Sequence, residues 1–173
     1  VKCSARGTSF NVLAPAVEFV GRYEINLLGR HQVVNALFAI ALGAELGLTR
    51  DEIQRGLAAC AAPKSRLQLW DAAGVTVLDD CYNANADSMV AALLVLQDLP
   101  CKGRRLAVLG DMAELGAQSA AAHAEVGRRA AESGVEQLFA VGKNAGVLAG
   151  AARAAGLNCV LEFAEVDAAA GAV

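Results

Sequence analysis

The chain of 173 residues is 55% hydrophobic, 19% charged and only 5% aromatic, with a formal net charge of −3. This length and composition allow one large domain, or one complete domain and part of another, with a core rich in Ala, Leu and Val. The acidic balance argues against a nucleic-acid-binding surface, and no apolar run reaches the roughly 20 residues that cross a bilayer.

The first 64 residues are typical of a β-hairpin followed by two helices. Loose alternation of apolar residues over 8–13 and 17–28 predicts the hairpin. An Ala- and Leu-rich run predicts a helix over 31–46, and the capping-box spacing of residues 49–52 predicts the start of a shorter one. The proline-containing segment 61–65 is the best candidate for a domain boundary.

Strand-like segments alternate with helix-like segments from residue 66 onward. Such alternation predicts βαβ units, a mostly parallel sheet and right-handed crossovers. We therefore expect this part of the chain to form most of an α/β domain in which helices flank the sheet. The predicted strands are 66–70, 75–78, 105–109, 137–141 and 159–163, and the predicted helices are 88–99, 119–132 and 144–155.

Two polar turns carry most of the candidate site residues. Residues 79–89 follow the apolar strand 75–78, and residues 110–116 follow the next apolar strand. Ligands usually bind at the carboxyl ends of strands in α/β sheets, and we expect the two strands to be neighbours whose turns form one polar rim. Carboxylates can accept hydrogen bonds from ribose hydroxyls, and carboxamides can both donate and accept. Alternatively, these side chains only shape the turn, with Asp87 or Ser88 capping the helix.

Further candidates lie outside these turns. His31 and Asn35 project from the same side of a helix start, although a helix-start His and a backbone-bonded Asn would explain both. The guanidinium of Arg66 could clamp a phosphate with two hydrogen bonds, or simply lie at the surface. His123 is expected to face solvent on the helix 119–132.

Several common sites are not predicted. Residues 142–144 resemble the end of a phosphate-binding loop, but the preceding glycine spacing is absent and no Ser or Thr follows the Lys. No Gly-x-Gly-x-x-Gly follows a strand, so a dinucleotide site is weakly supported. The five cysteines include no Cys-x-x-Cys pair. They therefore predict neither a disulfide framework nor a zinc site and favour a reducing, cytoplasmic setting.

The ends of the chain indicate a piece of a longer protein. The chain begins without a Met and without a signal or transit segment, and it stops inside an Ala-rich, helix-like stretch. We therefore expect the complete protein to contain further residues outside this chain.

The candidate residues occur in an order that closely resembles the Mur ligase family. The motif at residues 28–36 is common to the family. Residues 82–85 and 110–116, by contrast, look particular to the member that adds D-alanyl-D-alanine. The resemblance implies that residues 1–64 end a central ATPase domain and that residues 65–173 form a Rossmann-like C-terminal domain. The matching segments are 28–36, 64–67, 79–85 and 109–116, together with His123.

The resemblance also implies a reaction. Family members use ATP and Mg²⁺ to phosphorylate a substrate carboxylate, here that of UDP-N-acetylmuramoyl-tripeptide, and an amine then attacks the acyl phosphate. The amine would be that of D-alanyl-D-alanine, and the product an amide of a peptidoglycan precursor. The phosphate loop, the magnesium ligands and a carbamylated Lys are expected upstream of Val1, so the chain alone is expected to be inactive.

The resemblance assigns roles to particular side chains. It assigns no catalytic residue or metal ligand within the chain, and two positions depart from the usual pattern: Gln32 replaces an Asn and Ala86 replaces a Pro. Nucleotide binding is implied for His31, Asn35, Arg66 and Asp80. Contact with the dipeptide, or with the surface that closes over it, is implied for Tyr82, Asn83, Asn85, Asp111 and Glu114.

Two alternatives remain open at this point. The chain could belong to another Mur ligase or to a folylpolyglutamate synthase. Testing other amino acids or glutamate in place of D-alanyl-D-alanine with the full-length protein would distinguish these enzymes. It could instead be a non-catalytic α/β module that binds a nucleotide or a partner. The leading prediction is a monomeric bacterial cytoplasmic enzyme that binds neither nucleic acid nor membrane.

Overall fold

The computed structural model describes residues 1–172, which form two compact units. The N-terminal unit comprises Val1–Asp80 with Asp98–Pro100, and the C-terminal unit comprises Cys81–Gln97 and the chain from Cys101 onward. The domain boundary expected at residues 64 and 65 stays a prediction, because compact units need not coincide with the domains of a longer protein. Among the described residues, no helix has the length and apolar character needed to span a membrane.

The N-terminal unit begins with a three-stranded antiparallel sheet packed against two helices. The hairpin expected from the sequence is the β2–β3 pair, in which Phe10 lies opposite Tyr23. Strand β1 was not predicted because only three residues pair. The core contains Phe10, Tyr23, Ile40 and Ile53. The elements are β1 (Lys2–Ser4), β2 (Gly7–Val12), a 3-10 turn (Val17–Phe19), β3 (Gly21–Ile25), α1 (Gln32–Glu45) and α2 (Arg50–Ala59).

The predicted capping box at the start of α2 is confirmed. The Thr49 hydroxyl accepts the N–H of Glu52 at 3.3 Å, and the Glu52 carboxylate accepts the N–H of Thr49 at 2.8 Å. Both orphan N–H groups are thereby satisfied, which fixes where the helix begins.

A separate antiparallel hairpin completes the N-terminal unit. It consists of β4 (Gln68–Ala72) and β5 (Val75–Asp79), joined through Ala73 and Gly74 with positive φ values of 51° and 86°. Two consecutive positive φ values are the geometry of a tight hairpin turn. The strand before residue 79 was expected to lie beside the strand before residue 110, and this expectation is wrong. The first of them, β5, pairs with β4, whereas the strand Leu106–Leu109 pairs with the strand Gln137–Val141.

The C-terminal unit contains the predicted parallel sheet with flanking helices, and its three strands have the order β6-β7-β8. The predicted strands 66–70 and 75–78 do not join this sheet, because that part of the chain forms the β4–β5 hairpin. Its core joins Leu138 of the sheet to Val126 and Leu148 of two helices. Those helices approach closely because Gly127 lacks a Cβ, which would lie 2.1 Å from the carbonyl oxygen of Leu148. The elements are α3 (Ala86–Asp98), β6 (Leu106–Leu109), a 3-10 turn (Gly116–Gln118), α4 (Ser119–Glu132), β7 (Gln137–Val141), α5 (Ala145–Ala154), β8 (Cys159–Phe163) and α6 (Val166–Ala170).

Candidate functional site

Asp80 is the centre of a charged cluster in the N-terminal unit. It follows β5, is partly buried, and accepts the backbone N–H of Leu67 at 3.0 Å. Burial raises the pKa of Asp80, and the Leu67 N–H and the nearby charges of His31 and Arg66 offset this only in part. Two of the other residues predicted to bind a nucleotide, His31 and Arg66, therefore each lie within electrostatic reach of Asp80.

Asn35, the fourth, is linked to His31 through a chain of side-chain hydrogen bonds. The amide nitrogen of Asn35 donates to Gln32 Oε1 at 3.0 Å, and Gln32 Nε2 lies 3.1 Å from His31 Nε2. An amide nitrogen can only donate, so His31 Nε2 accepts and the ring proton belongs on Nδ1. Burial lowers the pKa of His31 and outweighs the opposing effect of Asp80, which favours this neutral ring.

The backbone around Arg66 is held in an unusual conformation. Ser65 and Leu67, on either side of it, have φ values of 55° and 48°. A left-handed conformation costs a non-glycine residue about 1–2 kcal/mol, and such strain concentrates at functional sites. The Ser65 hydroxyl donates to Asp79 Oδ2 at 3.1 Å, while Asp80 holds the Leu67 N–H. The two carboxylates thus fix the exposed Arg66 between two anchored neighbours.

The turn before α3 presents exposed polar side chains. Tyr82 is 66% exposed, and Asn83 is exposed with its Oδ1 accepting the N–H of Ala84 at 2.9 Å. The helix cap expected at Asp87 or Ser88 is wrong. Asn85 caps α3, because its Oδ1 accepts the Ser88 N–H at 2.8 Å and the Ser88 hydroxyl accepts the Asn85 N–H at 3.1 Å.

Asp111 anchors the turn after β6 to the start of α5. Its carboxylate accepts the N–H of Lys143 at 2.8 Å, the N–H of Asn144 at 2.9 Å and the side-chain amide of Asn144 at 3.2 Å. Partial burial acts to raise the pKa of Asp111, but these hydrogen bonds outweigh it and the pKa is lowered. Gly142 has a φ of 111°, and a Cβ there would lie 2.5 Å from Asp111 Oδ2.

His123 does not face solvent as the sequence suggested; it is fully buried. Its Nε2 accepts the backbone N–H of Met112 at 3.0 Å, and its Nδ1 donates to the carbonyl of Ser119 at 2.7 Å. The sequence held the signal for this burial, because His123, Val126, Gly127 and Ala130 share one face of α4 and all are buried.

Glu114 lies at the tip of the turn that Asp111 and Met112 anchor. It is exposed and has a left-handed φ of 62°. Within residues 1–172 its carboxylate makes no hydrogen bond or ion pair, so it is available to a ligand. Of the five residues predicted to contact the dipeptide, Asp111 and Asn85 hold the local backbone. The sequence raised such a turn-shaping role for Asn85 but not for Asp111.

Comparisons with known proteins identify the family of the chain. The Mur ligase, glutamate ligase domain family matches residues 65–173. The UDP-N-acetylmuramoyl-tripeptide–D-alanyl-D-alanine ligase of Escherichia coli K12 is 42% identical over 146 residues, which make up 83% of this chain and 31% of that protein. The Bacillus subtilis 168 ligase of the same name is 34% identical over 144 residues, again 83% of this chain and 31% of that protein.

A solved structure extends the likeness to three dimensions. MurF from Acinetobacter baumannii superposes with a TM-score of 0.83 at 31% identity, over 97% of this chain and 35% of that one. The chain thus spans about a third of the length of the relatives it matches. Since the family match covers most of its residues, the chain belongs to the Mur ligase family.

Proposed function

We propose that this chain is part of a longer ATP-dependent ligase that joins D-alanyl-D-alanine to UDP-N-acetylmuramoyl-tripeptide in the bacterial cytoplasm. The observation that carries the proposal is the 42% identity to the Escherichia coli ligase of that specificity over 83% of this chain. Two features of the structure support it. The charged cluster around Asp80 suits a nucleotide, and the exposed carboxylate of Glu114 suits an amine.

The nucleotide side of the proposal concerns the cluster around Asp80. One carboxylate oxygen of Asp80 accepts the Leu67 N–H, and the other would accept hydrogen bonds from ribose hydroxyls. The Arg66 guanidinium would bind phosphate oxygens, and Asn35 would contact the base. The His31–Gln32–Asn35 chain of hydrogen bonds holds the Asn35 side chain before the nucleotide arrives.

ATP and Mg²⁺ supply the activation of the substrate carboxylate when they are bound. Within residues 1–172 no three His, Cys, Asp or Glu side chains come together to hold a metal ion. As the family resemblance implies, the proposal assigns the metal ligands and the phosphate loop to the part of the longer protein outside this chain. We expect the 173-residue chain by itself to release no phosphate from ATP.

The dipeptide side of the proposal concerns the C-terminal unit. The amine of D-alanyl-D-alanine is a cation near neutral pH, so the exposed carboxylate of Glu114 attracts it at the tip of an anchored turn. Tyr82, Asn83 and Asn85 would bind the peptide and carboxylate groups. Asp111 supports the turn and adds negative charge.

Bond formation itself needs orientation more than acid–base chemistry from this chain. The ammonium first gives one proton to solvent, and the neutral amine nitrogen then attacks the acyl carbon. The bond from that carbon to the phosphate oxygen breaks, inorganic phosphate leaves, and the second proton lost by the nitrogen passes to the released phosphate as the amide forms. Holding the amine in line with the acyl carbon accounts for a large share of such an acceleration.

A chimeric enzyme tests the proposal. This chain would replace the matching segment of the Escherichia coli ligase, and phosphate release would be measured with ATP, the tripeptide substrate and one amine at a time. Release that depends on D-alanyl-D-alanine supports the proposal. Release that depends on L-glutamate or another single amino acid instead would assign the chain to a different ligase of the family.

A further inference from the structure

The turn that carries Glu114 is held by one of its own side chains, Asp111, and by the buried His123 from α4. Asp111 fastens the start of the turn to α5 through three N–H donors. His123, from α4, holds the next residue by accepting the N–H of Met112. The Met112 side chain is itself 3% exposed, so its backbone lies where water cannot replace a lost hydrogen bond.

The hydrogen bonds of His123 use both ring nitrogens. Nδ1 donates to the carbonyl of Ser119 one helical turn earlier, which fixes the ring plane and leaves the lone pair of Nε2 for Met112. A buried N–H without a partner is strongly unfavourable, so removing this acceptor forces the turn to move until Met112 finds another. Glu114 lies two residues further on and would move with it.

The other supports of the turn do not duplicate this contact. Asp111 holds the backbone that enters the turn, while Leu115 packs against the core on the exit side. The left-handed φ of Glu114 between them is unfavourable for a non-glycine residue. It therefore persists only while both flanks are fixed.

We infer that His123 is a positioning residue that sets the exposed carboxylate of Glu114 to bind the amino group of the incoming dipeptide. The inference rests on the proposed function. His123 is too deeply buried to touch the substrate. Its effect therefore passes through the turn, by way of the Met112 N–H and of Asp111, whose Oδ1 lies 3.7 Å from His123 Nε2.

Three variants in the chimeric ligase test this role. His123→Leu removes the acceptor, and His123→Gln keeps an oxygen near the position of Nε2. Val126→Ala, equally buried on the same face of α4, is the matched control for lost stability.

We expect His123→Leu to raise the KM for D-alanyl-D-alanine roughly tenfold, as loss of one well-placed hydrogen bond implies, with the KM for ATP changed less than twofold. His123→Gln should recover most of this loss, and Val126→Ala should lower Tm without changing the dipeptide KM. Equal effects of His123→Leu on both KM values, or a dipeptide KM that Val126→Ala raises as much, would show a merely structural histidine.

A double variant separates the inference from the proposed function. Glu114→Gln alone should raise the dipeptide KM, and adding His123→Leu should then change it little further, because the two act in series. Additive effects would refute the positioning role. No effect of Glu114→Gln would instead refute the proposed amine contact, and with it the inference.

Hydrogen exchange on the 173-residue chain provides a readout without catalysis. His123→Leu should accelerate exchange of the Met112 amide at least tenfold relative to the amides of β7. Uniform acceleration across the whole C-terminal unit, matching that of Val126→Ala, would contradict a local anchor.

Discussion

Replacing Asp111 by Asn would test how much the carboxylate contributes to the C-terminal unit. The substitution preserves shape and leaves one oxygen to accept from Asn144, but it turns an NH₂ group towards the N–H of Lys143. One charge-assisted hydrogen bond is lost, which costs about 1.5–3 kcal/mol when buried. Since the Asp111 side chain is 33% exposed, we expect about 1.5 kcal/mol, or a fall in Tm of about 5–10 °C for a unit of this size.

The same variant predicts a dependence on pH. The pKa of Asp111 is lower in the folded chain than its ordinary value near 3.9. The stabilisation is therefore complete at neutral pH and is lost as the pH falls from about 4 through the folded pKa. The carboxamide of the Asp111→Asn variant cannot titrate, so the difference in Tm between the two proteins should be constant from pH 7 to about pH 5 and should shrink below about pH 4.

Differential scanning calorimetry of the 173-residue chain at pH 7, 5 and 3 measures both effects. Asp87→Asn is a suitable control, because Asp87 is exposed in the first turn of α3 and its loss should cost at most about 0.5–1 kcal/mol. A Tm difference for Asp111→Asn that stays the same at pH 3, or that matches the control at pH 7, would refute the anchoring role.

Three further outcomes follow from the geometry. Gly127→Ala, whose Cβ would meet the carbonyl of Leu148, should lower the free energy of unfolding by about 2 kcal/mol or more. The control is Gly150→Ala, which has open space around the added Cβ and should be neutral or stabilising. Urea unfolding of the two variants measures the difference. Asp80→Asn should weaken ATP binding about tenfold in the chimeric ligase and leave the dipeptide KM within twofold, so equal losses for both substrates would contradict the proposed ribose contact. Asn85→Ala should cost about 1 kcal/mol in urea unfolding through loss of the α3 cap, and an unchanged midpoint would show that water replaces the cap.

Local sequence patterns predicted most of the regular elements. The bounds of α4, β7 and β8 match the predicted ones, and the parallel sheet with flanking helices is confirmed. These elements have strong apolar periodicity and glycine stops, which act within a few residues. The sheet to which β5 belongs could not be predicted from such local patterns. The choice of a pairing partner depends on contacts between residues distant in sequence.

The nucleotide and dipeptide roles of the candidate residues stay predictions, whereas several of their hydrogen bonds were not predicted at all. His31, Arg66 and Asp80 do come close together in the N-terminal unit, as a shared role requires. The burial of His123 was not predicted from the residue alone. It depends on the apolar face that His123 shares with Val126 and Ala130 on α4. The capping role of Asn85 was hidden by two equally plausible caps that follow it, since Asp, Asn and Ser are all good N-cap residues.

The position of Asp111 has a consequence for any assignment made from the shape of the C-terminal unit alone. In many α/β proteins the first N–H groups of a helix that follows a strand bind the phosphate of a cofactor. Here a side chain of the protein itself, tethered a few ångströms away, neutralises those donors at the start of α5. A soluble anion would have to compete with a group whose effective local concentration is millimolar or higher, so likeness to cofactor-binding sheets does not imply a cofactor at this helix.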